Sequence, residues 1–220
     1  MRKKLVIFGA GDIAQLAHFY FTEEGKYQVE GFVVDDEYKQ SDQFCELPLV
    51  RFSQLESQFP ASDYDAFVAV SYNNMNELRA QKYMQLKEMG YSIASYISPY
   101  CTNFAKSIGE NCFILEDNTL QPFVTIGNNC TLWSGNHIGH HSTIGDHNFL
   151  TSHVVVSGGV NIGNKCFIGV NATLRDHIKV ADKTLVAAGA LLLNDTEENG
   201  VYKGAGKATK ASVPADKAGL

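Results

Sequence analysis

Residues 126–150 read IGNNCTLWSGNHIGHHSTIGDHNFL, and an aliphatic residue stands at every sixth position of this stretch. The same spacing runs from Ile108 to Leu192 without a change of phase. The fifteen aliphatic residues are Ile108, Ile114, Leu120, Ile126, Leu132, Ile138, Ile144, Leu150, Val156, Ile162, Ile168, Leu174, Val180, Val186 and Leu192. An α-helix repeats every 3.6 residues and a flat strand every 2, so neither explains a period of six. The period predicts a parallel β-helix, a solenoid with three short flat sides per coil.

Small residues accompany the aliphatic stripe. Seven of the fifteen aliphatic residues are followed by a small residue, namely Gly109, Gly127, Gly139, Gly145, Gly163, Gly169 or Ala187. We expect these residues where the chain turns a corner, because glycine tolerates tight turns. Cys112 and Cys130 lie eighteen residues apart, which is one full coil. We predict that they are buried small side chains and not a disulfide, since parallel side chains in a reducing compartment are unsuited to one.

The composition limits the classes of partner. The chain has 220 residues and a formal net charge of −6, and it lacks a basic stripe, which argues against nucleic acid as a partner. No apolar run approaches the ~20 residues needed to cross a bilayer. The apolar start of the chain ends at Gly9 and leads into a motif, so it reads as a first strand and not as a signal peptide. We therefore expect a cytoplasmic protein.

The chain divides near residue 100. Residues 1–100 alternate between strand and helix patterns and predict a Rossmann-like α/β domain, whereas residues 101–220 predict the solenoid. The predicted strands are Leu5–Phe8, Val29–Val34, Ala66–Ser71 and Tyr91–Ile97. A first helix follows Ala14, and a second is predicted to start at a capping box formed by Asn74 and Glu77. Val201–Lys203 is a candidate final strand of the solenoid.

A glycine-rich motif follows the first predicted strand. Gly9-x-Gly11-x-x-Ala14 stands between a strand and a helix, where backbone N–H groups can approach a phosphate. Asp35 follows Gly11 by 24 residues, close to the acidic spacing that binds a ribose in dinucleotide folds. NAD is therefore one candidate ligand. A nucleotide diphosphate that carries another group suits the short domain better, and a turn used only for packing is the third possibility.

Five histidines lie within seventeen residues of the predicted solenoid: His137, His140, His141, His147 and His153. Such a cluster is able to bind a metal ion, but His140 and His141 are adjacent and are expected to point in different directions on a flat wall. A neutral imidazole, with an ordinary pKa of ~6.5, also suits a general base. Exposed histidines without a special role remain the alternative for most of the five.

Gly158 lies eighteen residues beyond His140 and is therefore predicted to stack directly over it. A glycine there leaves a backbone N–H accessible beside the histidine, as an oxyanion contact requires. Relief of crowding at a corner explains the glycine equally well.

The glycine-rich α/β unit, followed by a solenoid with Ile138-Gly139-His140-His141-Ser142-Thr143-Ile144-Gly145, resembles a family of bacterial sugar acyltransferases. These are the NeuD/PglD-type proteins, which resemble sialic acid O-acetyltransferases and UDP-amino-sugar N-acetyltransferases. The resemblance implies a left-handed β-helix, a homotrimer, and acetyl-CoA as co-substrate in a groove between subunits, with no resident metal. It also implies a nucleotide-linked sugar as the second substrate.

The resemblance also implies roles for single residues. His140 matches the catalytic histidine. The acetyl-CoA site corresponds to Gly158, Val170, Ala187, Ala188, Gly189 and Lys207. The sugar-nucleotide site corresponds to Gly9, Gly11, Asp12, Asp35, Asp36, Asn73 and His141.

The chain departs from the family in two places. Some relatives follow the catalytic histidine with a glutamate that orients the ring, whereas this chain has His141. The orienting acceptor is then expected elsewhere, for example a backbone carbonyl or Asp176. Relatives often end in Gly-x-Pro-Ala, whereas this chain reads Gly204-Ala205-Gly206-Lys207, so its contacts to adenine are expected to differ from those of the relatives.

The residues and the resemblance together predict an acetyl-CoA-dependent N-acetyltransferase that acts on the amino group of a nucleotide-linked amino-deoxy sugar. His140 serves as general base for direct transfer in a ternary complex. A sugar O-acetyltransferase is the first alternative. A γ-type carbonic anhydrase would need three converging histidines, and only His141 and His177 stack, 36 residues apart. A nucleotide-binding trimer without catalysis is the non-enzyme alternative.

Overall fold

The computed structural model describes residues 3–23 and 26–204. The N-terminal domain is a five-stranded sheet with order β3-β4-β2-β1-β5. Its strands are β1 (Lys3–Phe8), β2 (Tyr27–Val34), β3 (Gln43–Phe44), β4 (Leu47–Arg51) and β5 (Tyr64–Val68). Its helices are α1 (Asp12–Glu23), α2 (Leu55–Gln58) and α3 (Glu77–Glu88). None of these helices of the described chain is long and apolar enough to span a membrane.

The sheet is parallel except for the β3–β4 pair, and both of its faces are covered by apolar side chains. Strand β1 lies between β2 and β5. The order in which the strands are added therefore switches at β1, because β2 and β4 lie on one side of it and β5 lies on the other. In α/β sheets such a switch point opens a crevice at the carboxyl ends of the strands.

Two local predictions for this domain are wrong. Asn74 does not cap a helix, because Asn74, Met75 and Asn76 all have positive φ and α3 begins only at Glu77. The expected strand 91–97 makes only one isolated bridge to the N-terminal sheet, between Ala66 and Ile93. Its end forms the first solenoid strand, β6 (Tyr96–Ile97). Strands β3 and β4 were not predicted, because β3 has only two residues and Pro48 interrupts the short apolar run of β4.

The solenoid consists of two-residue strands arranged in three parallel sheets. Face 1 contains β7 (Thr102–Asn103), β10 (Thr119–Leu120), β13 (His137–Ile138), β16 (Val155–Val156), β19 (Thr173–Leu174) and β22 (Leu191–Leu192). Face 2 contains β8 (Ser107–Ile108), β11 (Thr125–Ile126), β14 (Thr143–Ile144), β17 (Asn161–Ile162) and β20 (Lys179–Val180). Face 3 contains β6, β9 (Phe113–Ile114), β12 (Thr131–Leu132), β15 (Phe149–Leu150), β18 (Phe167–Ile168), β21 (Leu185–Val186) and β23 (Val201–Tyr202). The fold is a left-handed parallel β-helix, as predicted.

Every one of the fifteen aliphatic residues is the second residue of its strand, and fourteen of them are at most 5% exposed. Within the repeat, strands pair with those eighteen residues away, for example Ile138 with Val156. The first residue of each strand points outward. The stripe thus forms one continuous core, in which each coil is buried against its neighbours.

The corners are made by residues in the left-handed conformation. From 111 to 189, every sixth residue has φ between 53° and 78°. They are Asn111, Asp117, Phe123, Asn129, Gly135, His141, His147, His153, Gly159, Lys165, Asn171, His177, Lys183 and Gly189. The glycines that directly follow the aliphatic stripe lie in the turns, as expected, but they do not have positive φ, so turn conformation does not explain them. A Cβ at any of them would lie 2.2–2.6 Å from an atom of the next coil, so close stacking excludes a side chain.

The N-terminal domain packs on face 3 of the solenoid. The Arg79 side chain of α3 is 1% exposed, and its Nη2 donates to the carbonyl oxygens of His147 at 3.1 Å and Asn148 at 3.0 Å. Its Nη1 donates to the Thr131 hydroxyl. Burial lowers the pKa of Arg79 to about 10, so the guanidinium stays charged at neutral pH. Asn111 of the solenoid in turn binds both backbone groups of Val68 in β5.

Candidate active site

His140 lies on the edge between face 1 and face 2, which we call the histidine edge (turns 121–124, 139–142, 157–160 and 175–178). Its backbone is held from both sides. The His140 N–H donates to Gln121 Oε1 at 2.8 Å, and the Gly159 N–H donates to the His140 carbonyl at 2.8 Å. The side chain itself is exposed on the single chain. A rigid backbone therefore presents an accessible imidazole.

The His140 ring lies directly against Gly158, as the eighteen-residue spacing predicts. A Cβ on Gly158 would lie 2.6 Å from Cε1 and 2.9 Å from Nε2 of His140. Gly158 does not have positive φ, so its lack of a side chain serves the ring contact and not the turn. The Gly158 N–H has no acceptor among residues 3–23 and 26–204. An exposed imidazole and a backbone N–H that has no acceptor in the described part of the chain thus lie side by side.

The His140 and His141 side chains meet, although their adjacency was expected to separate them. Their Nδ1 atoms are 3.1 Å apart and their rings are nearly perpendicular, at 85°. The left-handed conformation of His141, with φ of 59°, turns its side chain back toward His140. The His141 ring also packs on Phe123, with ring centroids 4.6 Å apart.

Asp176 is not the partner of His140. Its carboxylate Oδ2 lies 4.0 Å from Nε2 of His177, the next residue. Among the described residues Asp176 makes no hydrogen bond to His140, whose Nδ1 lies against His141 instead, so the structure does not support the expected orienting role of Asp176.

The density of histidines has a local explanation. His141, His147, His153 and His177 all occupy left-handed turn positions, where histidine is several-fold enriched among non-glycine residues. His147 is half-buried and its Nδ1 accepts from Asn129 Nδ2 at 2.8 Å. Burial lowers the pKa of His147. In the described ranges, no three His, Cys, Asp or Glu side chains converge as metal ligands would.

The other predicted acetyl-CoA residues lie on a different edge of the prism. Val170 and the run Ala187-Ala188-Gly189 belong to the edge between face 3 and face 1, which we call the alanine edge (turns 151–154, 169–172 and 187–190). Val170 is 41% exposed, and Ala188 and Gly189 are also exposed. Face 1 separates this edge from His140, so one chain does not bring the two groups together. Lys207 lies outside the described residues.

Gly9 and Gly11 line a cleft of ≈ 390 Å³ at the switch point between β1 and β5. Gly9 has φ of 127°, and a Cβ there would lie 2.5 Å from the Ala69 carbonyl oxygen. Nothing lies within 4 Å of a Cβ placed on Gly11, which leaves this backbone open. Asp12 is exposed at the first residue of α1. The cleft therefore offers the open backbone at a helix N-terminus that suits a phosphate.

The two aspartates after β2 already have partners within the domain. Asp35 accepts from Lys82, whose side chain is 7% exposed. Asp36 accepts from the Ser53 backbone N–H at 3.1 Å and from its hydroxyl at 2.6 Å, and these bonds lower the pKa of Asp36. Asp35 still lines a second cavity, of ≈ 250 Å³, which shares Gly9 with the first. Asn73 is exposed on the loop after β5, at the same end of the sheet.

Sequence reasoning missed Gln121 and Phe123 on the histidine edge. Gln121 lies nineteen residues before His140, close to the eighteen residues of one coil. The period of the repeat could therefore have predicted that the two residues are neighbours. Phe123 occupies a sixth-position turn, but only its positive φ reveals its contact with His141.

Comparison with known proteins supports the repeat and the fold. Residues 106–140 and 124–158 match the family model described as bacterial transferase hexapeptide (six repeats). No curated protein sequence matches the chain. The resemblance predicted from the sequence is confirmed for the repeat and for the fold.

Three solved structures are similar in fold. A variant of perosamine N-acetyltransferase from Caulobacter crescentus, in complex with CoA and GDP-perosamine, has a TM-score of 0.81 and 21% identity, and the match covers 91% of this chain and 93% of the other. WeeI from Acinetobacter baumannii AYE has a TM-score of 0.78 and 15% identity over 90% and 95% of the chains. The acetyltransferase domain of PglB from Neisseria gonorrhoeae FA1090, in complex with acetyl coenzyme A, has a TM-score of 0.63 and 20% identity over 93% and 97%.

Proposed function

We propose that this chain is an acetyl-CoA-dependent N-acetyltransferase that acts on the amino group of a nucleotide-linked amino-deoxy sugar. The observation that carries the proposal is the accessible His140 ring beside the Gly158 N–H, which has no acceptor among the residues that the structure describes. Acyl transfer needs this pair, a base for the attacking group and a donor for the oxyanion. The perosamine N-acetyltransferase of similar fold binds CoA and GDP-perosamine, which supports an amino-sugar nucleotide as the acceptor.

In the proposed mechanism the sugar amine attacks the thioester carbonyl while Nε2 of His140 removes its proton. The Gly158 N–H donates to the oxyanion of the tetrahedral intermediate. The C–S bond then breaks, and His140 returns the proton to the leaving thiolate. Cys112, Cys130 and Cys166 are buried in the solenoid core and are unsuited to act as nucleophiles. The proposed pair of His140 and the Gly158 N–H needs no cysteine or serine nucleophile, so the proposed transfer is direct, within a ternary complex.

The proposed acetyl-CoA site is shared between subunits of a homotrimer. The histidine edge and the alanine edge lie on either side of face 1 and do not meet within one chain. A head-to-tail ring of copies brings one type of edge against a different surface of the next copy. We assign the thioester end to His140 and Gly158 of one subunit. Val170, Ala187, Ala188 and Gly189 of its neighbour form the other wall, and Lys207 is proposed for the adenine end.

The N-terminal cleft is proposed to hold the nucleotide. Gly9 and Gly11 leave backbone open beside the N-terminus of α1, where a diphosphate is stabilised by N–H groups. Asp35 and Asn73, at the same end of the sheet, are proposed ribose and base contacts. Asp12 and Asp36 are proposed polar contacts at the rim, with Asp36 held in place by Ser53.

A thiol-release assay tests the proposal. Acetyl-CoA is supplied with a panel of 3-amino and 4-amino sugar nucleotides and with their hydroxyl analogues. We expect CoA release with an amino sugar nucleotide, and we expect His140→Ala to lower kcat by about 10²–10⁴-fold while acetyl-CoA affinity is retained. Release with hydroxyl acceptors only would replace the proposal by O-acetylation. Unchanged turnover in His140→Ala would refute it.

A further inference from the structure

The contact between Nδ1 of His140 and Nδ1 of His141 restricts which ring nitrogens carry a proton. At 3.1 Å these two nitrogens are within hydrogen-bond distance, and one of them must donate while the other accepts. A neutral imidazole carries its proton on only one nitrogen. If His140 donates from Nδ1, its Nε2 keeps a lone pair and serves as a base. If His141 donates instead, Nε2 of neutral His140 carries the proton and cannot accept another.

The surroundings of His141 hold its ring in this contact. Phe123 packs on the ring at 4.6 Å although it is 60% exposed and has φ of 68°. The equivalent turn positions elsewhere hold Asn, Asp, His, Lys or Gly, whereas a bulky aromatic residue in this conformation is an outlier. Backbone strain of this kind persists only where the surrounding structure holds the residue in its strained conformation. Phe123 thus packs on the His141 ring while Nδ1 of His141 lies against Nδ1 of His140.

We propose that His141 is a positioning residue, which accepts the Nδ1 proton of His140 and so keeps the Nε2 lone pair of His140 free for the acceptor amine. This inference rests on the proposed acetyl transfer and identifies the group that orients its base. During attack, the amine proton moves to Nε2 while the Nδ1 proton of His140 stays in the hydrogen bond to His141. His141 therefore stabilises the imidazolium of His140, as an acceptor on the far nitrogen does in a catalytic triad.

Kinetics of three variants test the assignment. His141→Ala removes the acceptor, and His141→Glu supplies a carboxylate in its place. His177→Ala is the matched control, because His177 occupies the same left-handed turn position, φ 59°, two coils further along the same edge. We expect His141→Ala to lower kcat about 10–100-fold with little change in the KM for acetyl-CoA, because the base is misoriented and not lost.

His141→Glu is expected to recover most of kcat, and His177→Ala to match the wild type. An equal loss in His141→Ala and His177→Ala would show a cost of alanine at the turn and would overturn the proposal. A loss confined to KM would overturn it as well, because it would assign His141 to binding.

Nitrogen-15 NMR of the ring nitrogens gives a readout that does not depend on activity. In alkaline buffer, where imidazoles are neutral, we expect wild-type His140 to carry its proton on Nδ1 and to shift toward the Nε2-protonated form in His141→Ala. A wild-type His140 protonated on Nε2 would overturn the inference even if acetyl transfer is found. Absence of acetyl transfer with an Nδ1-protonated His140 would refute the proposed function and leave the histidine pair intact.

Discussion

At the scale of single residues, the contact between Gly158 and the His140 ring leaves no room for a methyl group. In Gly158→Ala the new Cβ would meet Cε1 of His140 at 2.6 Å, so the ring must move. Because a misplacement of about 1 Å costs about 10²-fold in rate, we expect kcat to fall by that order. Steady-state acetyl transfer measures the loss.

Asn164→Ala is the control for Gly158→Ala, because Asn164 occupies the same position within its turn one strand later and lies on the edge between face 2 and face 3, away from both proposed ligand walls. Its kcat is expected to equal that of the wild type. A Gly158→Ala variant with unchanged kcat would show that the ring contact has no part in turnover.

His147 makes stability depend on pH. Burial lowers its pKa, and its Nδ1 accepts from Asn129 in the folded protein. As the pH falls below the ordinary value of ~6.5, the unfolded chain takes up a proton that the folded chain resists. Stability is therefore present in full above ~6.5 and declines below it, until the lower folded pKa is passed.

His147→Asn removes this titration and keeps a residue that tolerates the left-handed turn. We expect urea unfolding between about pH 7.5 and pH 5.5 to show a smaller loss of stability for the variant than for the wild type. The residual slope includes His18, whose pKa burial also lowers. Identical slopes in the two proteins would contradict this assignment.

At the scale of structural elements, the solenoid could be predicted and the N-terminal domain only in part. One aliphatic residue at every sixth position predicts a three-sided β-helix, and each of the fifteen is the last residue of a strand. The predicted cap of α3 was wrong because Asn76, and not Asn74, directly precedes the helix, and the Asn76 side chain binds Arg79 and the Cys166 carbonyl. Tertiary contacts thus overrode the local capping signal.

The candidate site shows the same division. The stacking of Gly158 on His140 followed from the period of eighteen residues. The contact between His140 and His141 was not predicted, because both residues were expected on a flat wall, whereas His141 has the left-handed backbone conformation of a turn. Pairings such as Asp35 with Lys82 link distant elements and leave no pattern in the sequence.

At the scale of the whole molecule, Arg79 holds the two domains together. The described residues offer it no carboxylate partner within 4.0 Å, and it binds carbonyls, a hydroxyl and an amide of both domains. Arg79→Ala leaves the Thr131 hydroxyl, the Asn76 amide oxygen and the His147 carbonyl without this donor. Because each buried group left unpaired costs about 1–3 kcal/mol, we expect a loss of about 3 kcal/mol or more in the free energy of unfolding.

Lys87→Ala is the matched control on the same helix. Lys87 pairs with Glu110 at the exposed margin of the domain contact, and such pairs contribute about 0–1 kcal/mol. Urea unfolding of both variants measures the difference. Losses of equal size would show that Arg79 is not the principal contact.

The shared site of the proposed trimer leads to the most direct measurement, complementation between two inactive variants. His140→Ala disables the histidine edge, and Ala188→Trp blocks the alanine edge. Co-expressed subunits that mix at random form sites with one intact edge from each variant, so activity is expected to return to about a quarter of the wild-type value. A mixture that stays as inactive as either variant alone would contradict a site built from two neighbouring copies.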